Sequence, residues 1–318
     1  MFTYDKDVHP QPHIRINAIG GSGDEPYLKD LQDNVLSGRS NIVYVDNSGM
    51  DAPTPINSDL SILLILAEES DDHQQLLRCI ERACTNSELS IAFVPVGRSI
   101  DCQQSHHSAG KDSKNYEMFQ WLKKIRAVVD TLVLLNGDRQ EVDNAVVGAV
   151  PMLLSGSTLI GIDYADIRSV LTCYGSEGGK GVFIAGSVEL IDPENPEYDA
   201  KRLGTQLLRI AGKSLRYSLG CLDYSRDCKL LLETVIGLYE KLQSILCIES
   251  ATGAYSVALC SRDEPITESR LVCIAGELKL TEATLDRFVH YDQSNDAVVS
   301  GSIQEINVDR YYKKEVIE

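Results

Sequence analysis

The chain has 318 residues, of which 43% are hydrophobic and 24% charged, so it can bury a sizeable core and is not disordered as a whole. Its formal net charge of −17 argues against a nucleic-acid partner, because binding a phosphate backbone needs clustered Lys and Arg. Nine Cys without a CxxC pair are typical of buried thiols in a reducing compartment. The first residues lack the apolar core of a signal peptide, and no apolar run is long enough to span a bilayer, so we expect a cytoplasmic protein without a membrane span.

The first predicted unit is a strand, a glycine-rich turn and a helix. Residues 1–13 form a polar arm, and Ile14 to Ile19 is a predicted strand that enters the turn Gly20-Gly21-Ser22-Gly23. Apolar residues at helical spacing follow. Glycines let the backbone approach an anion and helix amides point at it, so this unit can cradle a phosphate. A generic glycine turn explains the pattern equally well.

Two further strands and a helix are predicted next. Residues 41–45 form a short strand, and the continuous apolar run 60–67 is typical of a strand buried on both faces of a parallel sheet. The acidic segment Glu68-Glu69-Ser70-Asp71-Asp72-His73 follows, and then Leu76, Leu77 and Ile80 indicate a helix.

Residues 91–96 are another predicted buried strand, residues 99–114 are polar and expected to be mobile, and apolar spacing predicts a helix around 119–129. The segment 129–139, VDTLVLLNGDR, is a predicted strand followed by a loop with Asn136 and Arg139. From the residues alone, that loop is equally explained by an Asn-Gly turn and a surface salt bridge. Residues 140–156 form a predicted helix.

The segment 157–171, STLIGIDYADIRSVL, places Asp163 near a helix cap and Asp166 in the first helical turn. Acids at these positions are favoured by the helix dipole, which is the simpler explanation for both. Beyond it we predict helices around 203–211, 239–245 and 282–288, and strands at 229–236, 255–260 and 270–275. Residues 290–318 form a polar, flexible tail.

Several of these segments, in this order, resemble the FtsZ/tubulin family. The turn Gly20–Gly23 is similar to the family's first GGxG loop, residues 129–139 to its VDTLIVIPNDRL segment, and Asp163 and Asp166 fall on the two acids of its NxDFADV loop. Residues 254–278 are similar to its closing hairpin. The resemblance implies an α/β fold: a GTPase-like domain with a parallel sheet (14–139), a central helix (140–156) and an α+β domain with a mixed sheet (157–289).

The resemblance also implies a site for GTP or GDP. The family's first loop contacts phosphate, which here corresponds to Gly20, Gly21, Ser22 and Gly23. Asn136 and Arg139 would lie near the sugar and Asn144 would contact the base. Asp163 and Asp166 would position the attacking water in the nucleotide site of the next subunit. The implied partner is another copy or another FtsZ/tubulin-like subunit.

One segment departs from the family. Where its members carry the phosphate-wrapping motif GGGTGTG, residues 67–73 read AEESDDH. The Cβ atoms crowd the path of a phosphate, and the carboxylates repel it. We therefore weigh a degenerate family protein that acts through protein–protein assembly against an active GTPase with unusual phosphate contacts. A two-domain binder that uses the cleft between the domains for another ligand is a third hypothesis. Whether the chain is an enzyme stays open.

Overall fold

The computed structural model describes thirteen parts of the chain, among them all the strands and helices named below: 13–20, 42–46, 57–65, 72–96, 111–135, 168, 171, 180–189, 197–212, 215–225, 232–246, 254–262 and 270–291.

One nine-stranded sheet organises these residues. Its strands are β1 (Ile14–Ile19), β2 (Ile42–Asp46), β3 (Ser58–Ile65), β4 (Ser87–Pro95), β5 (Thr131–Leu135), β6 (Gly181–Glu189), β7 (Tyr217–Ser225), β8 (Ala254–Arg262) and β9 (Arg270–Gly276). Their order is β2-β1-β3-β4-β5-β6-β9-β7-β8. All neighbours pair in parallel except β9, which is antiparallel to both β6 and β7.

The parallel half of the sheet confirms the predicted strands. β1, β3, β4 and β5 fall on the apolar runs of the sequence, and β2 falls on residues 41–45 within one residue. Consecutive residues such as Ile62 and Leu63 are both fully buried, at 0% exposure, as expected for a strand covered on both faces.

Five helices are described: α1 (His73–Cys84), α2 (Lys111–Val128), α3 (Glu197–Ala211), α4 (Leu232–Leu246) and α5 (Glu282–Tyr291). Each contributes buried side chains to a single hydrophobic core shared with alternate residues of the sheet. The predicted helical spacing places Leu76 and Ile80 of α1 and Leu122 and Ile125 of α2 in this core. None of the described helices has the length and apolar character needed to cross a membrane.

The second half of the sheet is mixed, as predicted, but three details differ. The strand predicted at 229–236 is wrong from Leu232 onward, because these residues begin α4. The predicted closing hairpin is also wrong: β8 pairs with β7, and β9 lies between β6 and β7. β6 and β7 were not predicted as strands.

Two predicted boundaries also shift. Residues 111–114, expected to be mobile, are the first turn of α2, and residues 290–291 end α5 rather than opening the tail. The central helix 140–156 lies outside the described residues, so the domain boundaries remain predictions.

Basic side chains from other elements bind the last carbonyls of three helices. Arg15 of β1 donates to the carbonyl oxygens of Ala83 and Thr85 at the end of α1. Lys180 donates to the Ala127 carbonyl at the end of α2, and Arg287 of α5 donates to the Ile210 and Ala211 carbonyls at the end of α3. These cations satisfy orphan carbonyls and complement the helix dipoles, so they tie helix ends to neighbouring elements.

Candidate functional site

The carboxyl ends of β1, β3 and β5 define one edge of the sheet, which we call the carboxyl edge. The next two strands of the chain, β2 and β3, pair with opposite sides of β1. The strand order therefore reverses between β1 and β3. In open parallel sheets, ligands bind beyond the carboxyl ends of the strands at such a reversal. The candidate site therefore lies just beyond the carboxyl ends of β1 and β3, after Ile19 and Ile65.

Gly20 is the predicted site residue that the structure describes. It directly follows β1 and adopts a φ of +84°. A side chain at this φ would be strained, which explains glycine at the start of the predicted phosphate loop. The rest of that loop, Gly21, Ser22 and Gly23, lies outside the described residues.

The N-terminus of α1 is the second element at this edge. Six residues separate Ile65 from Asp72, which is the N-cap of α1. The Asp72 carboxylate accepts hydrogen bonds from the backbone amides of Gln74, at 2.9 Å, and Gln75, at 3.4 Å. A helix N-terminus is where an anion would bind, and here the chain supplies that anion itself.

An aromatic contact holds this helix end in place. The imidazole of His73, the first residue of α1, stacks on the indole of Trp121 in α2, with ring centroids 4.6 Å apart and planes 14° from parallel. Trp121 is buried, at 4% exposure. The start of α1 is therefore attached to the core through α2, next to the cap.

The opposite edge, which we call the amino edge, is formed by the first residues of β1, β3, β4 and β5. Two helical residues that follow the predicted two-acid loop are anchored there. Arg168 forms a 3.0 Å salt bridge with Glu88 at the start of β4. The Leu171 carbonyl accepts a 2.8 Å hydrogen bond from Thr131 Oγ1 at the start of β5, and the Leu171 side chain is fully buried.

A buried polar row crosses the sheet near the amino edge. Arg15, Ser61 and Ser90 are register partners on β1, β3 and β4. Asp130, just before β5, accepts hydrogen bonds from the backbone amide and the hydroxyl of Ser90 at 2.8 and 2.7 Å. Burial lowers the pKa of Arg15 and raises the pKa of the adjacent Cys84 thiol to about 11. The row supports α1 at its C-terminal end, because Arg15 and Ser61 both donate to the Ala83 carbonyl. The raised pKa means that the Cys84 thiol is protonated at neutral pH.

The remaining predicted site residues lie outside the described residues, so their roles stay predictions. They are Asp163, Asp166, Asn136, Arg139 and Asn144. In sequence, Asn136 directly follows β5 and Asp166 precedes the anchored Arg168 by two residues.

Sequence reasoning missed the contacts that fix both edges. It did not single out Trp121 or the pairing of Glu88 with Arg168, which lie 80 positions apart. Trp121 carried a weak signal, because it is the only Trp of the chain and directly precedes the apolar position Leu122. The salt bridge carried none.

Neither a known protein family nor a curated protein matches the sequence. Solved structures do match. The FtsZ of M. jannaschii, described as an empty dimer, superposes with a TM-score of 0.60 at 16% identity, covering 86% of this chain and 91% of that one. CetZ from Methanosaeta thermophila gives a TM-score of 0.53 at 10% identity, with 87% and 90% covered.

TubZ of Bacillus thuringiensis serovar israelensis, crystallised as GDP-form protofilaments, gives a TM-score of 0.52 at 9% identity, with 87% of each chain covered. Identities this low establish a shared fold and leave the function open. The sheet order, with its parallel half and its reversal between β1 and β3, is consistent with these superpositions. The chain has an FtsZ/tubulin-like fold.

Proposed function

We propose that this protein works by assembling with subunits of its own fold and has lost tight GTP binding. The cap on α1 is the observation that carries the proposal. The amides of Gln74 and Gln75 would be the donors available to a phosphate at the carboxyl edge, and the Asp72 carboxylate already engages both. A phosphate would have to displace the Asp72 carboxylate from these amides.

The energetic balance favours the cap over the ligand. A helix N-terminus contributes about 0.3–1 kcal/mol to binding a nearby anion. A carboxylate about 4 Å from a phosphate charge costs roughly 1 kcal/mol in water and roughly 4 kcal/mol at an intermediate dielectric. Glu68, Glu69 and Asp71 precede Asp72 in sequence and add to the repulsion. The attraction that a glycine-rich loop would supply is absent from residues 67–73.

The amino edge supports the assembly part of the proposal. Because Arg168 and Leu171 are anchored at the starts of β4 and β5, the two-acid loop that precedes them in sequence is expected at this same edge. The edge faces away from the chain's own carboxyl edge. Asp163 and Asp166 would then contact a neighbouring subunit. The FtsZ and TubZ structures of this fold are described as a dimer and as protofilaments.

Nucleotide binding is the direct test. Freshly purified protein is denatured and its supernatant analysed for guanine nucleotides, and the nucleotide-free protein is titrated with GTP and Mg²⁺. We expect no bound nucleotide and no saturation at millimolar GTP. Stoichiometric or micromolar binding would overturn the proposal. A variant with residues 67–73 replaced by GGGTGTG is the informative comparison, because tighter GTP binding by that variant would assign the loss to this turn.

An active GTPase is the second candidate, and the geometry of Gly20 favours it. The φ of +84° directly after β1 is what a tight phosphate loop requires. In this case Gly20 to Gly23 bind phosphate, Asn136 and Arg139 lie near the sugar, Asn144 contacts the base, and Asp163 and Asp166 position water. Asp166→Ala should then abolish GTP turnover in assembled protein, and unchanged turnover would exclude this role for Asp166.

A further inference from the structure

The boundary between the two halves of the sheet is itself hydrogen-bonded. We call β1–β5 with α1 and α2 the parallel half, and β6–β9 with α3 and α4 the mixed half. The sheet is continuous between them, because β6 pairs in parallel with the whole of β5. Just after β9, the backbone amide of Leu278 donates to the Val182 carbonyl of β6 at 2.8 Å. The segment that leads into α5 therefore starts at the boundary between the halves.

α5 lies across this boundary. It packs against α2 of the parallel half and against α3 of the mixed half. Its Leu285 and Phe288 side chains are 1% and 2% exposed, and they belong to the core that also contains Trp121 of α2 and Leu207 of α3. Separating the two halves would therefore expose part of the apolar face of α5 to water, which costs free energy.

One side chain anchors α5 to the mixed half. Nε of Arg287 donates to the Ile210 carbonyl at 2.8 Å, and its Nη2 donates to the Ala211 carbonyl at 3.0 Å and to Thr284 Oγ1 at 3.3 Å. Gly212 directly follows α3 with a φ of +68°, and a Cβ there would lie 2.9 Å from Cζ of Arg287. Glycine is therefore required at this position both by the backbone conformation and by the close approach of the guanidinium.

From these contacts we propose that α5 is a conformational lock, which holds the parallel and mixed halves together as one cooperative unit through the contact of Arg287 with the end of α3 at Gly212. The inference goes beyond the proposed function and does not depend on whether GTP binds. A subunit locked in this way joins an assembly as one rigid body. The hypothesis of a ligand in a cleft between two domains requires halves that open independently, which this lock opposes.

Two probes, one in each half, test the inference in the unmodified full-length chain. Trp121 is the only Trp of the chain, so its fluorescence follows the parallel half. Cys273 of β9 is fully buried, so its alkylation, measured by mass spectrometry of the peptide that contains it, follows the opening of the mixed half. We expect both signals to change at the same urea concentration, as for one cooperative transition. Two transitions at different urea concentrations would overturn the proposal.

Variants on the two sides of the contact test the lock itself. Arg287→Ala removes a charged donor from two carbonyls, so alkylation of Cys273 should become about ten-fold faster below the midpoint of the Trp121 transition. Gly212→Ala should have the same effect from the α3 side, and the double variant should lose less than the sum of the two losses. Lys279→Ala removes an exposed cation just before α5 and is the matched control, in which the transitions should still coincide.

The remaining outcomes decide whether the lock is assigned to the right contact. If Arg287→Ala moves both transitions together, the assignment to Arg287 and Gly212 is overturned. Arg287→Lys keeps the positive charge near the end of α3 but cannot reproduce a contact made by two nitrogens, so it should separate the transitions less than Arg287→Ala does. This variant decides the question if Arg287→Ala does not fold. The titration with GTP tests the proposed function alone, so failure of either proposal is recognised separately.

Discussion

The carboxylate of Asp72 accepts a hydrogen bond from the backbone amide of Gln74 at 2.9 Å and thereby caps the first turn of α1. The cap lies at the edge of the sheet where the strand order reverses between β1 and β3, which is the position at which this kind of sheet binds its ligand. The structure thus uses, for its own stability, a helix end that would otherwise be available to an anion. Under our proposal that tight GTP binding has been lost, the carboxylate that competes with a phosphate also contributes to folding stability.

Replacing Asp72 should measure that gain. Asp72→Ala removes the acceptor for the amides of Gln74 and Gln75 and should lower the free energy of unfolding by about 1 kcal/mol, as for other N-cap replacements. Asp72→Asn keeps an acceptor at the same position and should lose only a few tenths of a kcal/mol. Urea unfolding followed by circular dichroism compares the two. Equal losses for Ala and Asn would show that the cap contributes little.

The strands of the parallel half were predictable because their physical signal is strong. Buried parallel strands require continuous apolar runs, and β3 and β4 have them. The strand predicted at 229–236 failed because a short apolar run does not separate a strand from a helix. Here Leu238, Leu242 and Leu246, four residues apart and all buried, extend the same segment into α4. Length and helical spacing, rather than composition, decide such cases.

β7 was not predicted because its local strand signal is weak. Its sequence, YSLGCLDYS, contains Gly, Ser and Asp, which are poor strand formers. It is nevertheless hydrogen-bonded on both sides, to β8 and β9. Tertiary pairing overrides local preference at this position, and no reading of the segment alone would reveal the two partners.

The candidate site was predictable only in part. The helix predicted after the acidic segment is confirmed as α1, and the structure adds that Asp72 is its N-cap. The stacking of His73 on Trp121 and the pairing of Arg168 with Glu88 depend on the packing of distant segments. Such contacts carry no local sequence signal, so they required the structure.

Arg15 should contribute more to stability than its position on a short strand suggests. Its guanidinium donates to the Ala83 and Thr85 carbonyls at the end of α1, and it is buried, at 5% exposure. Arg15→Met removes a charged donor from the buried Ala83 carbonyl, which keeps only its hydrogen bond from the Ser61 hydroxyl, and from the part-buried Thr85 carbonyl. We therefore expect a loss of about 1.5–3 kcal/mol in the free energy of unfolding. Arg78→Met, at an exposed position of α1, is the control and should change it by less than about 0.5 kcal/mol. Similar effects at both positions would contradict the role assigned to Arg15.

Cys273 of β9 should make the protein less stable at alkaline pH. Burial raises the pKa of its thiol to about 12, whereas the pKa of a thiol in the unfolded chain is about 8.5. Between these values the folded state holds a proton that the unfolded state has lost, so stability is fully present below the lower pKa and falls as pH rises toward the higher one. Cys273→Ala removes this linkage.

The measurement is the slope of the unfolding free energy against pH above about 8.5, taken for both proteins. The slope of the Cys273→Ala variant should be shallower even if its stability at neutral pH is lower. Parallel curves would mean that the thiol does not contribute to the alkaline loss.

Gly204 should be intolerant of any side chain, because α3 packs tightly against Leu242 and Ile245 of α4 at this position. A Cβ built on Gly204 would lie 2.8 Å from Cγ2 of Ile245 and 3.2 Å from Cδ1 of Leu242. Gly204→Ala should therefore cost about 1–3 kcal/mol through overpacking, despite the higher helix propensity of Ala. Gly237→Ala in α4 is the matched control, since a Cβ there meets nothing within 4 Å. That variant should gain about 0.5–1 kcal/mol from reduced backbone entropy in the unfolded chain. Urea midpoints that move in opposite directions would confirm the close α3–α4 contact, whereas stabilisation by both variants would show that the two helices separate at little cost.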